Sequence, residues 1–251
     1  MKVTVFGSGK KNLVIIPGMS LTPVWQTAGA VVALYSKCAD RYRIFVFDRK
    51  EGFGPGYSVE KMAADTAEAM KLSGIDSACI FGASQGGMIA LSLAIDFPDM
   101  VSSIAVASSA SRNNAAARET FIRWKELAES GDIMELALNS FRKVYSDAVQ
   151  ERTIDVFTRL AGTYTADMCV PFGILADACL NYDRYGELGK IRCPVYVTGG
   201  EEDRIFGSGP SLEIAEKTDG ECFIYGDGSH AVYDEKPDFV GRVISFFDNC
   251  A

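Results

Sequence analysis

The chain has 251 residues, 48% of them hydrophobic and 23% charged, with a formal net charge of -8. That length can form one large domain, and the composition is that of a globular protein, not of a disordered, collagen-like or membrane-embedded one. No run approaches the roughly 20 apolar residues of a spanning helix, and acidity without a basic cluster argues against nucleic acid as a partner.

The opening MKVTVFGSGKK lacks the long apolar region and small-residue cleavage site of a secretory signal. Seven scattered cysteines show neither C-x-x-C nor Cys/His metal spacing. They read as reduced thiols, several of them small core hydrophobes, so a cytoplasmic setting is expected. A single histidine excludes a zinc site of several imidazoles, and no metal or cofactor is expected.

In chain order, apolar β-prone runs occur at Val3–Phe6, Leu13–Ile16, Ile44–Phe47, Ala78–Phe81, Ile104–Ala107, Val195–Thr198 and Cys222–Tyr225. Helix-period stretches such as Val59–Leu72 and Gln85–Phe97 lie between most of them. Short continuous apolar runs alternating with helices predict an α/β protein, a mainly parallel sheet of about seven strands with helices on both faces. The first two strands are expected to pair antiparallel. From about Arg112 to Glu187 only helical patterning is present, with helices predicted at 115–130, 132–146, 148–160 and 165–180. The predicted organisation is a core of residues 1–111 and 188–251 with a helical cap, 112–187, inserted in it.

The segment Phe81-Gly82-Ala83-Ser84-Gln85-Gly86-Gly87 is a G-x-S-x-G turn between a predicted strand and a predicted helix. Glycines there let the two elements pass closely while a strained turn lifts the serine above the strand's carboxyl end. The amide of Gln85, opening the helix, can then bind a developing oxyanion. A plain glycine-rich turn would need no serine.

Ser84 needs a base, and His230 lies in Gly226-Asp227-Gly228-Ser229-His230, just past the last strand, at the edge where open α/β sheets collect active-site residues. The acid is expected after the preceding strand. There Glu201, Glu202 and Asp203 offer a choice, with Asp203 preferred by distance from the strand end and Glu202 in reserve. The order Ser84, Asp203, His230 is that of the α/β-hydrolase fold.

From Ser58 to Ser109, and again in the closing GDGSHAVYDEKPDFVGRVISFF, the sequence resembles the capped serine branch of the α/β-hydrolase superfamily, which includes enol-lactonase, carboxylesterase and C–C-bond hydrolase relatives. The resemblance implies Ser84, Asp203 and His230 as a catalytic triad, with oxyanion donors in the backbone amides of Met19 and Gln85. Where the family usually has a His-Gly pair, this chain has Pro17-Gly18-Met19. The short amino end implies that the first strand of the usual eight is missing. Trp25 is expected to be core packing.

The implied activity is hydrolysis of a small, largely apolar ester, thioester or lactone through an acyl-enzyme on Ser84. A triad-bearing lyase or C–C-bond hydrolase, and a non-enzymatic small-ligand receptor, stay open as alternatives. The insertion carries Phe121, Trp124, Phe141, Tyr145, Phe157, Tyr164, Met168 and Phe172. Most of these are expected to be cap core, the remainder lining a pocket with Trp124, Tyr145 and Phe206 as candidates. A small molecule is the expected partner of a monomer or homodimer, with no membrane attachment.

Overall fold

The computed structural model describes residues 1–250. Seven strands form one sheet: β1 (Val3–Phe6), β2 (Lys11–Ile16), β3 (Tyr42–Phe47), β4 (Ala78–Ala83), β5 (Val101–Ala107), β6 (Val195–Gly200) and β7 (Glu221–Tyr225). Their spatial order is β1-β3-β2-β4-β5-β6-β7, parallel throughout except for β1.

The interior strands are apolar almost without interruption because both faces are covered. In β2, Leu13 and Ile15 face one layer, formed by α1 (Ala28–Tyr35) and the terminal helix Phe239–Asn249. Val14 and Ile16 face the other, with α2 (Val59–Leu72) and α3 (Gln85–Asp96). Period-two alternation thus sorts one strand's residues between two cores. From Gln85 to Ile95 every residue of α3 is buried, which makes it the central helix of the second layer.

The pairing of the first strands differs from expectation. β1 is antiparallel, but to β3, with Val3 opposite Phe47 and Phe6 opposite Ile44, while β2 runs between β3 and β4. The turn after β1 does not close a hairpin because it is held on the approach to β3. Ser8 N donates to Ala39 O at 2.7 Å and Gly9 N to Tyr42 O at 3.3 Å.

Between β5 and β6 lie four helices: α4 (Ala115–Ser130), α5 (Ile133–Val144), α6 (Asp147–Ala161) and α7 (Cys169–Leu180). Side-chain caps mark three starts. Asn114 accepts from Ala117 N, Asp132 from Glu135 N, and Ser146 from Val149 N. Helices α4 and α7 pack along each other, and the two ends of the insertion meet at its base. There Arg184 N donates to Ser111 O at 2.8 Å, and Asn113 Nδ2 to Cys179 O at 2.7 Å. Helix α8 (Gly209–Thr218) joins β6 to β7, and the short α9 (Val232–Glu235) precedes the terminal α10 (Phe239–Asn249). Among the described residues, no helix is long and apolar enough to cross a membrane.

Candidate active site

Because β2 to β7 are parallel, the segments leaving them gather at one edge of the sheet. Ser84 follows β4 with φ 53° and ψ -122°, a left-handed conformation strained by roughly 1–3 kcal/mol for a residue with a side chain. Its neighbours hold it there. Ser84 N donates to Ala107 O at 2.8 Å, and the Ser109 hydroxyl donates to Ser84 O at 2.7 Å. A Cβ on Gly86 would stand 1.8 Å from Ile16 O, so only glycine lets α3 pass this close to β2.

Asp203 and His230 lie on the loops after β6 and β7. These loops cross at Gly200, where a Cβ would come within 1.9 Å of Gly228 O. The crossing brings His230 Nδ1 to 2.8 Å from Asp203 Oδ2, with both side chains buried. The second carboxylate oxygen, Oδ1, accepts from the amides of Ile205 (2.8 Å) and Phe206 (3.0 Å). An ionised carboxylate is an acceptor only, so the shared proton belongs to Nδ1, which leaves Nε2 as the basic nitrogen. Glu202 is exposed, and Glu201 accepts from Ser208 Oγ at 3.0 Å, away from the imidazole.

Ser84, His230, Gly18 and Met19 line one cavity of about 210 Å³. No hydrogen bond among those of the described residues joins Ser84 Oγ to His230, a contact that commonly tightens only when substrate binds. The segment after β2 crosses directly over the serine: a Cβ on Gly18 would be 3.2 Å from that of Ser84. Gln85 opens α3, where an amide has no partner inside the helix.

The cavity's far wall comes from the insertion, whose rings serve core and cavity together: Phe121, Trp124, Phe141 and Phe172 are buried. Six of the eight aromatic and methionine side chains considered there line the cavity: Trp124, Phe141, Tyr145, Phe157, Tyr164 and Phe172. Trp124 is held by its Nε1 donating to Asn139 Oδ1 at 3.0 Å, and Phe141 stacks on Phe157 at 4.2 Å. Phe206 is a correction. It is packed between Phe121 and the imidazole, 6.0 and 5.7 Å between centroids, behind His230 and outside the cavity lining. Trp25 is another. It is 46% exposed, with the Lys2 ammonium 4.5 Å above its ring, and it lines a neighbouring cavity.

Two lining or adjoining residues were not singled out by the sequence. Tyr233, three residues past His230, faces the same cavity, and burial pushes its phenol well up, which keeps it neutral. Arg49, two residues past β3, donates to the Gln85 side chain, and its position at the strand's carboxyl end was the one available signal.

Residues 11–237 match the family profile described as alpha/beta hydrolase fold. The chain belongs to that family. In sequence it is 23% identical over 203 residues to "Putative carbamate hydrolase RutD" of Escherichia coli O81 (strain ED1a), covering 76% of this chain and 75% of that one. In structure it is similar to the enol-lactonase from Burkholderia xenovorans LB400, with a TM-score of 0.86, 19% identity, and 98% and 96% of the two chains covered. It is also similar to a thermophilic esterase from Thermogutta terrifontis, with a TM-score of 0.80, 19% identity, and 99% and 92% coverage. At these identities the structural likeness shows the shared fold.

Proposed function

We propose that the protein is a serine hydrolase cleaving a small, largely apolar ester, thioester or lactone, with Ser84, Asp203 and His230 as its triad. The observation that carries this reading is the buried 2.8 Å contact between Asp203 and His230 beside the strained Ser84 at one sheet edge. Nothing in a resting core requires a left-handed serine and a carboxylate-bound imidazole to face one cavity.

In the first step Ser84 Oγ attacks the substrate carbonyl carbon while His230 Nε2 takes the hydroxyl proton. Asp203 holds the imidazole in the tautomer that makes Nε2 basic and stabilises the imidazolium. The amides of Met19 and Gln85 stabilise the tetrahedral oxyanion, each donor being worth about 3 kcal/mol in a water-poor site. The imidazolium returns its proton to the departing alcohol or thiol. A water molecule, deprotonated by His230, then attacks the acyl-enzyme and releases the acid.

Residues 112–187 act in this reading as a cap on the core of residues 1–111 and 188–251, their aromatic rings receiving the acyl group. A cavity of about 210 Å³ suits a short acyl or aryl group, since sites for drug-sized ligands run from about 300 Å³ upward. The enol-lactonase and esterase names of its structural neighbours and the carbamate hydrolase name of its sequence relative agree with attack on a carbonyl. A fluorophosphonate label, followed by a panel of short esters, thioesters and lactones, tests the proposal. The expected result is one equivalent of label on Ser84 and turnover of at least one class. Label on another serine, or turnover that survives Ser84→Ala, would overturn it.

A further inference from the structure

Arg49 is a partly buried cation whose guanidinium hydrogen bonds go to neutral oxygens, while its main-chain N–H donates to the Asp48 carboxylate at 2.8 Å. Its Nε and Nη2 donate to Gln85 Oε1 at 3.1 and 3.0 Å, and Nη2 also donates to Pro17 O at 2.7 Å. Taking a guanidinium out of water without a hydrogen-bonded counter-charge is costly, and here burial pushes its pKa down against the opposing pull of the nearby Asp48 carboxylate. Such a placement needs a use.

The two acceptors are informative. Pro17 leads directly into Gly18-Met19, the segment crossing over Ser84, and Gln85 is itself the residue that opens α3. One planar guanidinium therefore spans the two backbone segments that carry the proposed oxyanion amides. The rest of the Gln85 side chain faces the insertion. Its Nε2 donates to Leu175 O at 3.0 Å and Cys179 Sγ at 3.1 Å, both on α7, and the residue is 1% exposed. The Gln85 side chain is thus saturated at both ends, by Arg49 from the core and by α7 from the insertion. A rigid fork with several donors suits this work better than a flexible ammonium would.

We propose that Arg49 is a positioning residue which, through Pro17 O and the Gln85 side chain, sets the separation of the Met19 and Gln85 amides, and that Gln85 ties this separation to α7. The inference rests on the serine-hydrolase reading and goes further by giving the oxyanion site a control outside itself. Movement of α7 would be felt at the reacting carbonyl oxygen without any contact between α7 and substrate.

The test uses the full chain with p-nitrophenyl butyrate as substrate and a phenylboronic acid as mimic of the tetrahedral adduct. Wild type is first labelled with fluorophosphonate. If Ser84 takes no label, the hydrolase reading fails by itself. With a labelled wild type, Gln85→Met and Arg49→Met should each lower kcat by about 30- to 100-fold, a fraction of what loss of one oxyanion donor costs, with KM within about threefold. Boronate affinity should fall in step with kcat. Arg49→Ala should recover about tenfold on adding about 50 mM guanidinium, whereas Arg49→Met, whose side chain fills the space, should recover nothing. Gln85→Glu keeps the oxygen that Arg49 needs and loses the donors to α7, so about a tenfold loss of kcat is expected from it. The proposal is overturned if Gln85→Met and Arg49→Met keep kcat within about threefold of wild type, or if kcat falls while boronate affinity stays constant. A Gln85→Glu variant equal to wild type would overturn the tie to α7. Should Arg49→Ala fail to fold, Gln85→Met decides the question, because it preserves the main chain and nearly the volume.

Discussion

The carboxyl edge of the sheet and the helices of residues 112–187 meet at one cavity but are built by different means. At the edge, position is set by main chain: Ser84 by bonds through its own amide and carbonyl, Asp203 by the amides of Ile205 and Phe206, and both loops by glycines with no room for a methyl group. In the insertion, position is set by side chains, with rings packed against rings and a few capped helix starts. Backbone constraint leaves atoms little freedom, as the bond-making of the proposed mechanism requires. Ring packing defines a volume whose shape changes with each residue, as the proposed substrate selection requires.

The sharpest way to break this contrast is Ser84→Ala. Turnover should fall by at least about 10⁴-fold and covalent labelling should vanish, with the thermal midpoint little changed, because the hydroxyl makes no structural bond. A retained rate would place the chemistry elsewhere. Next in size, Asp203→Asn should cost about 10⁴-fold in kcat by favouring the wrong tautomer of His230, while Glu202→Gln should stay within about twofold. Exchange of those two results would move the acid by one residue. Smaller effects belong to the insertion. Trp124→Ala or Tyr145→Ala should shift the ratio of kcat/KM between acetyl and hexanoyl esters by about 10- to 100-fold, with Ser84 still labelled. A folded variant that no longer labels would show that the insertion completes the reacting geometry.

The smallest effect concerns Cys179, on the helix that touches Gln85. Burial pushes its thiol from the ordinary 9.0 up to about 12. A raised folded-state pKa means the thiol's contribution is intact below pH 9 and is lost as pH climbs toward 12. The thermal midpoint should therefore be insensitive to this group at pH 8 and decline above pH 9. Iodoacetamide at pH 8 should modify the exposed Cys222 and leave Cys179 unmodified, as peptide mass analysis would show. Alkylation of native Cys179 would mean that α7 lifts readily from the core.

Much of this arrangement was legible in the residues. All seven strands and the four helices of the insertion were marked by apolar runs and helical period, because each buried element writes its own periodicity locally. The positions of Ser84, Asp203 and His230 followed from strand ends, since parallel strands bring their carboxyl termini to one edge. What escaped depends on distant pairs. The partner of β1 was missed because pairing with β3 leaves no mark in a turn that looks like a hairpin's. Phe206 was misplaced and Trp25 misjudged because an aromatic residue reads alike whether it faces a cavity, a neighbouring ring or solvent. Arg49 gave only the signal of its place past a strand end, because its partners, Pro17 and Gln85, are 32 and 36 residues away.

The order of the strands has a consequence for the order of events during synthesis. Strand β4 is flanked by β2 and β5, so the residues that bond Ser84 directly, Ala107 and Ser109, have been translated well before the four helices that follow β5. Asp203 and His230 arrive on the loops after β6 and β7, only after the four intervening helices. Under the proposed mechanism a growing chain thus carries Ser84 through more than half of its translation without His230 to activate it. On ribosomes stalled at successive lengths, fluorophosphonate should label no chain whose residue 230 is still inside the exit tunnel. Early label would mean that the serine reacts without the imidazole. Late label would make reactivity a report that the last strand has docked, and would spare the cell an unguarded nucleophile on every unfinished copy.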